Sequence, residues 1–182
     1  AWITQQLQRL PDPAPFRPGA VIPFLGVEHR LEAASGRGPV LHEAGPPPRL
    51  IVPAPDGTLF APRLARFLKA EAKDRLGEAV DRHAAALGAR PSSLTVRDTR
   101  SRWGSCSSSR ALSFSWRVIL APPPVLDYLA AHEVAHLLEM NHSPRFWAHV
   151  ERCCPDWQVH RAWLKRHGAH LHAVGAGGDP AP

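Results

Sequence analysis

The sequence predicts an α+β fold, on three observations. Apolar residues recur at three- and four-residue steps between positions 62 and 88, the spacing of one amphipathic helix. Short alternating or apolar runs at 21–31, 49–52, 58–60, 94–100 and 111–120 are bounded by turn residues and suit strands. Two further helical stretches, 124–139 and 143–154, follow prolines suited to a helix start. With 182 residues and 44% hydrophobic content, one domain with a real core is the expectation.

Taken in order, the chain opens with a short predicted helix, Trp2 to Leu10, then a proline-rich stretch from Pro11 to Pro18. Val21–Leu31, Arg49–Val52 and Thr58–Phe60 are separated by Pro46-Pro47-Pro48 and Asp56-Gly57, which suggests a small antiparallel meander, with 36–45 as a loop. Residues 1–61 are thus expected to form a β-rich platform. The helix over 62–88 carries Leu64, Leu68, Ala72, Leu76, Val80, His83 and Leu87 on one stripe, with Pro62 in its first turn and Gly88 as its cap. His83 on that stripe reads as a core histidine.

Residues 94–100 and 111–120 alternate as strands, and the small polar residues 101–110 between them predict a hairpin with an elaborate tip. Ser143-Pro144 marks the start of a short helix with Phe146, Trp147 and Val150 on its apolar face, and Pro155 stops it. A last helix is expected to close at Gly168, leaving 169–182 as a flexible tail. The core domain is expected over 62–168.

Composition bounds the function. Lys and Arg number 22 against 16 acids, a net charge of +6 carried mostly by Arg, which permits nucleic acid or another polyanion as a partner. No compact basic run accompanies it. No stretch approaches the roughly 18 apolar residues of a membrane span. Cys106, Cys153 and Cys154 make an odd number with no C-x-x-C pair, which suits a reducing compartment, and with no signal-like start at Ala1 a cytoplasmic protein is expected.

The chemistry concentrates in His132-Glu133-Val134-Ala135-His136 and His142. Residues four apart on a helix share a face, so His132 and His136 form a pincer for zinc. Glu133 is placed to take a proton from water activated at the metal. His142 can supply a third nitrogen after the chain turns back, leaving the fourth tetrahedral position open, as in a catalytic zinc site. The spacing of the three histidines equals that of H-E-x-x-H-x-x-G-x-x-H, but Glu139 stands at the glycine position. The turn therefore needs another device, and Asn141, which tolerates left-handed backbone, is the candidate. Tyr128 lies four residues before His132, near the metal side. Arg102, in the tip with Trp103, Gly104 and Cys106, can border a substrate groove.

Further residues carry a family resemblance. Arg102-Trp-Gly-Ser-Cys-Ser, Leu112-x-Phe114-x-Trp116-Arg117, Ala121-Pro122, Leu126-Asp-Tyr128, the histidine motif and Asn141-His-Ser-x-x-Phe146-Trp147 closely resemble the YgjP-like metallopeptidases, bacterial zincins similar to the SprT-like and WLM groups. The resemblance is specific over about 94–166, and Ile22-Pro-Phe-Leu-Gly26 extends it more weakly. It implies a zincin-like fold, an antiparallel sheet packed on the active-site helix and C-terminal helices, with His132, His136 and His142 as zinc ligands and Glu133 as the catalytic glutamate.

The expected activity is hydrolysis of peptide bonds in a peptide or protein substrate, with Glu133 as general base and Tyr128, Asn141 and Arg102 as candidate oxyanion or substrate contacts. The 111–120 run, or its hairpin partner, is the candidate edge for an extended peptide. Two other classes stand beside this one. The first is a protease tethered to DNA through its basic surface; the second is a structural zinc protein in which Cys106 closes the fourth position.

Overall fold

The computed structural model describes residues 15–99 and 101–175. The helix expected over Trp2 to Leu10 and the tail beyond residue 175 lie outside the described residues. The α+β class holds, with two small sheets and four α-helices among the described residues.

The first sheet contains β1 (Val21–Phe24), β2 (Val27–Ala34), β3 (Leu41–Glu43) and β4 (Arg49–Pro53), in the order β1-β2-β4-β3. It is not the antiparallel meander that the sequence suggested, because β2 and β4 pair in parallel. Their register sets Leu31 opposite Leu50, both fully buried, so pairing is chosen by the shared apolar face. The expected loop over 36–45 supplies β3, which Arg49 secures by bonding Glu32 (3.1 Å) and Glu43 across the sheet. Thr58–Phe60 is not a strand either. Asp56 Oδ1 accepts from the Thr58 amide (3.1 Å) and hydroxyl (3.0 Å), turning the chain so that Phe60 begins a helix.

That helix, α1 (Phe60–Leu87), matches the predicted stripe. Leu64, Leu68 and Leu76 are fully buried, each stabilising the fold by about 1.5–3 kcal/mol relative to exposure. Gly88 caps it at φ 64°, its amide donating to the Ala84 and Ala85 carbonyls. His83 is buried as expected, and its Nε2 lies 3.0 Å from Asp127 Oδ1 on the next long helix. Burial alone would raise the Asp127 pKa, but the His83 hydrogen bond and the Arg82 charge bring it below the usual carboxylate value. Asp127→Ala leaves the buried imidazole without its partner and is expected to cost about 1–3 kcal/mol. Denaturant unfolding at pH 7 measures this. Because the Asp127 pKa is depressed, its contribution is present above the unfolded carboxylate pKa of about 4 and fades as pH falls below it.

The second sheet contains β5 (Ser93–Arg97), β6 (Gly104–Cys106) and β7 (Ala111–Ser115), in the order β5-β7-β6. The predicted hairpin is therefore replaced. β7 pairs in parallel with β5 and antiparallel with β6, the short strand made by the supposed tip. β7 is central, so the free edges belong to β5 and β6.

Residues Trp116–Leu120 form a 3₁₀ segment instead of continuing the strand. All five are buried, so alternation carried no facing information there. Two of their carbonyls serve the first sheet, as Leu25 donates to Ile119 (2.9 Å) and Gly26 to Leu120 (3.1 Å). Leu25 (φ 54°) and Gly26 (φ 78°) form the two-residue β1–β2 turn, whose twist requires positive φ at both positions. A Cβ on Gly26 would also lie 2.8 Å from Pro122, so this turn sits directly on the start of the next helix. One apolar core joins Ile22, Leu50, Leu68, Phe114, Val118 and Leu129.

Three helices follow: α2 (Pro123–Ala135), α3 (Pro144–Cys153) and α4 (Trp157–Ala173). α4 does not close at Gly168. That residue is buried within it because the Trp103 indole packs 3.2 Å from where a Cβ would stand, and Leu171 and Val174 beyond it are buried too. The predicted frayed segment is thus docked as far as Val174. No helix among the described residues is long and apolar enough to cross a membrane.

Candidate metal centre

α2 ends at Ala135, four residues short of the predicted 139. His136 is its cap but keeps helical backbone (φ −65°, ψ −17°), so the four-residue relation to His132 survives. The His136 Nδ1 donates to the Glu139 carbonyl at 3.0 Å. A carbonyl can only accept, so Nδ1 carries the proton and Nε2 keeps its lone pair for a metal.

The chain then reverses without left-handed backbone at Asn141, contrary to expectation; among the described non-glycine residues only Leu25 and Arg110 have positive φ. Instead, Asn141 Oδ1 accepts from the Ser143 amide (3.2 Å), and Ser143 Oγ caps α3 by accepting from the Phe146 amide (3.3 Å). Asn141 is exposed and its side-chain oxygen is engaged in this turn. Two polar residues do what a glycine does elsewhere, and His142 is delivered to its partners.

The ligating atoms of His132, His136 and His142 all lie within 4.8 Å of one another, the converging metal-type group found among the described residues. The Nε2 atoms of His132 and His142 are 3.2 Å apart. Phe146, fully buried, underlies all three rings with centroids at 4.9, 4.4 and 4.7 Å from His132, His136 and His142. Trp147 stacks on His142 at 5.7 Å and on Trp157 at 4.1 Å, which braces this exposed imidazole. Burial, followed by the neighbouring imidazoles His136 and His142, lowers the His132 pKa to about 3, and burial also lowers that of His136. Imidazoles converging on one point, with one tautomer fixed from behind, fit a divalent metal.

Glu133 lies against β6. It is buried, and burial pushes its pKa up to about 8. A cation held beside it would favour the carboxylate again. Gly104 in β6 is what makes room for it. A Cβ there would collide with Glu133 Oε1 and lie 2.8 Å from Cδ and Cγ. Gly104→Ala is therefore expected to displace the carboxylate and lower kcat by about 100-fold, with metal content nearly unchanged. Turnover measured beside metal analysis checks it.

Tyr128 is buried, its ring edge-on to His132 at 5.9 Å, and burial pushes its pKa up to about 12, so it keeps its proton as a donor. It lines a cavity of about 260 Å³ together with Trp103, His132, Glu133, Arg161 and Lys165. Arg102 does not line this cavity. It lines a separate groove of about 410 Å³ on the second sheet, with Arg97, Thr95 and Cys106. Cys106 stands outside the converging histidines, and its thiol pKa is raised by burial and by nearby Glu133.

Arg161 and Lys165 were not singled out from the sequence as site residues, and Gly104 was named only with the tip expected to border a groove. Gly104 stood within a quoted motif. The two cations had no such signal, because only the docking of α4 carries them to the site.

The family model "YgjP-like, metallopeptidase domain" matches residues 1–167. No curated protein matches significantly. Among solved structures, the crystal structure of the metallopeptidase zymogen of Pyrococcus abyssi abylysin is similar at TM-score 0.45 and 18% identity, over 50% of this chain and 93% of that one. The family match runs through every element that builds the histidine cluster, and the chain belongs to the YgjP-like metallopeptidase family.

Proposed function

We propose that the protein is a zinc-dependent endopeptidase whose ligands are His132, His136 and His142 and whose general base is Glu133. The observation that carries this reading is the pairing of two features. Three imidazoles converge on one point, and a buried carboxyl group stands one residue along the same helix. Among the described residues no fourth protein ligand joins the histidines, so the arrangement suits an open catalytic site better than a closed structural one. Three imidazoles favour zinc over harder cations.

When bound, such a metal supplies a Lewis acid that polarises the scissile carbonyl and makes water more acidic. The remaining steps belong to the chain. Glu133 accepts the proton of the attacking water and delivers it to the departing amine. Gly104 leaves the carboxylate its space, and Phe146 and Trp147 hold the imidazoles in place. Tyr128, protonated and lining the same cavity, donates to the developing oxyanion. An extended peptide is expected to lie along β6, the edge strand beside Glu133, and not along the central β7. Stripping the metal should abolish cleavage of an unfolded protein, and zinc should restore it. Cleavage that persists in stripped protein contradicts the proposal.

A further inference from the structure

The cavity beside the histidines has an uneven lining. Trp103, Leu129 and Leu164 give apolar walls, and His132 and Glu133 line it as well. Arg161 and Lys165 add two cations from one face of α4, four residues apart. At about 260 Å³ it has room for a residue-sized group and little more.

The two cations lack compensation. Among the described residues neither forms an ion pair. The only acid lining the cavity is Glu133, which is buried against Gly104. Arg161 is also held in position. Its guanidinium lies over the Trp147 ring, 5.2 Å from the centroid, and Trp147 is itself stacked on Trp157 and His142. A planar guanidinium fixed at the border of an apolar recess is organised for bidentate contact with a carboxylate. A basic side chain entering the recess would meet two like charges instead.

We propose that this cavity is a substrate subsite for a carboxylate, recognised by Arg161 and Lys165, next to the bond that is cut. The inference rests on the peptidase reading and adds the chemistry of the group preferred. That carboxylate comes either from an Asp or Glu side chain or from the free carboxyl terminus of the substrate.

Peptide binding tests this apart from turnover. Labelled peptides are titrated by fluorescence anisotropy against zinc-loaded Glu133→Gln protein. The set holds one sequence with Glu and a free terminus, the same with Gln for Glu, and the same with an amidated terminus. The acidic peptide is expected to bind about 10-fold tighter than at least one neutral counterpart, the factor of one charge-assisted contact. A loss on Glu→Gln identifies the side chain as the source; a loss on amidation identifies the terminus.

The preference should vanish in Arg161→Gln/Lys165→Gln and reverse towards a Lys-containing peptide in Arg161→Glu/Lys165→Glu. The reversal is a gain that misfolding cannot mimic. Equal binding of all peptides, no binding of any, or a preference that survives both double variants overturns the subsite. Zinc-loaded wild-type protein incubated with the same peptides separates the two readings. Acid-selective binding without cleavage counts against the peptidase alone, and cleavage without acid-selective binding counts against the subsite alone.

Discussion

Glu133→Gln is expected to lower kcat by about 10²–10⁴-fold while leaving zinc bound and the fold intact. The substitution is nearly isosteric, so the contact with Gly104 and the packing against β6 persist. An amide, however, cannot take a proton from water at neutral pH. Replacing a buried ionisable group by a neutral amide removes a desolvation cost, so stability should be equal or slightly higher. Kinetics, metal analysis and a melting curve on one preparation separate these effects. Full activity in Glu133→Gln would remove the general base from the account.

His142→Ala should produce the other large effect, on metal affinity. Loss of an outer-shell partner alone weakens metal binding by 10–100-fold, and loss of a ligand should exceed about 100-fold. The residue is exposed and lies on the turn before α3, so its removal opens no core cavity. The Ser143 cap and the Asn141 turn do not depend on the imidazole, and the melting temperature of the metal-free protein should barely move. Competition with a chromophoric chelator gives the zinc affinity. Undiminished binding would reject His142 as the third ligand.

What the sequence made legible follows a physical division. The long helix and the His132–His136 pincer depend on contacts three and four residues apart, so local spacing specifies them. The Ser143 cap and the Gly88 stop are local as well, and both occur where predicted.

Strand partners are a different matter. The parallel pairing of β5 with β7 leaves no trace in the intervening segment, which instead supplies the third strand. The 3₁₀ segment Trp116–Leu120 is buried on all sides, so its apolar alternation had no face to report. Gly168 looked like a helix stop because glycine commonly is one. Here its missing side chain admits Trp103, a tertiary reason that no spacing rule contains. The same holds for the site. The three histidines and Glu133 lie in one short motif, while Arg161 and Lys165 line the neighbouring cavity only because α4 docks beside them.

Peptide hydrolysis at this centre is expected to add water across the bond that is cut. The direct measurement is mass spectrometry of an unfolded protein incubated with zinc-loaded enzyme in ¹⁸O-labelled water. New amino termini should appear, each matched by a new carboxyl terminus carrying the label, in the wild type and not in Glu133→Gln. Zinc-loaded wild-type protein that produces no new termini, or equal amounts from both proteins, would contradict the account.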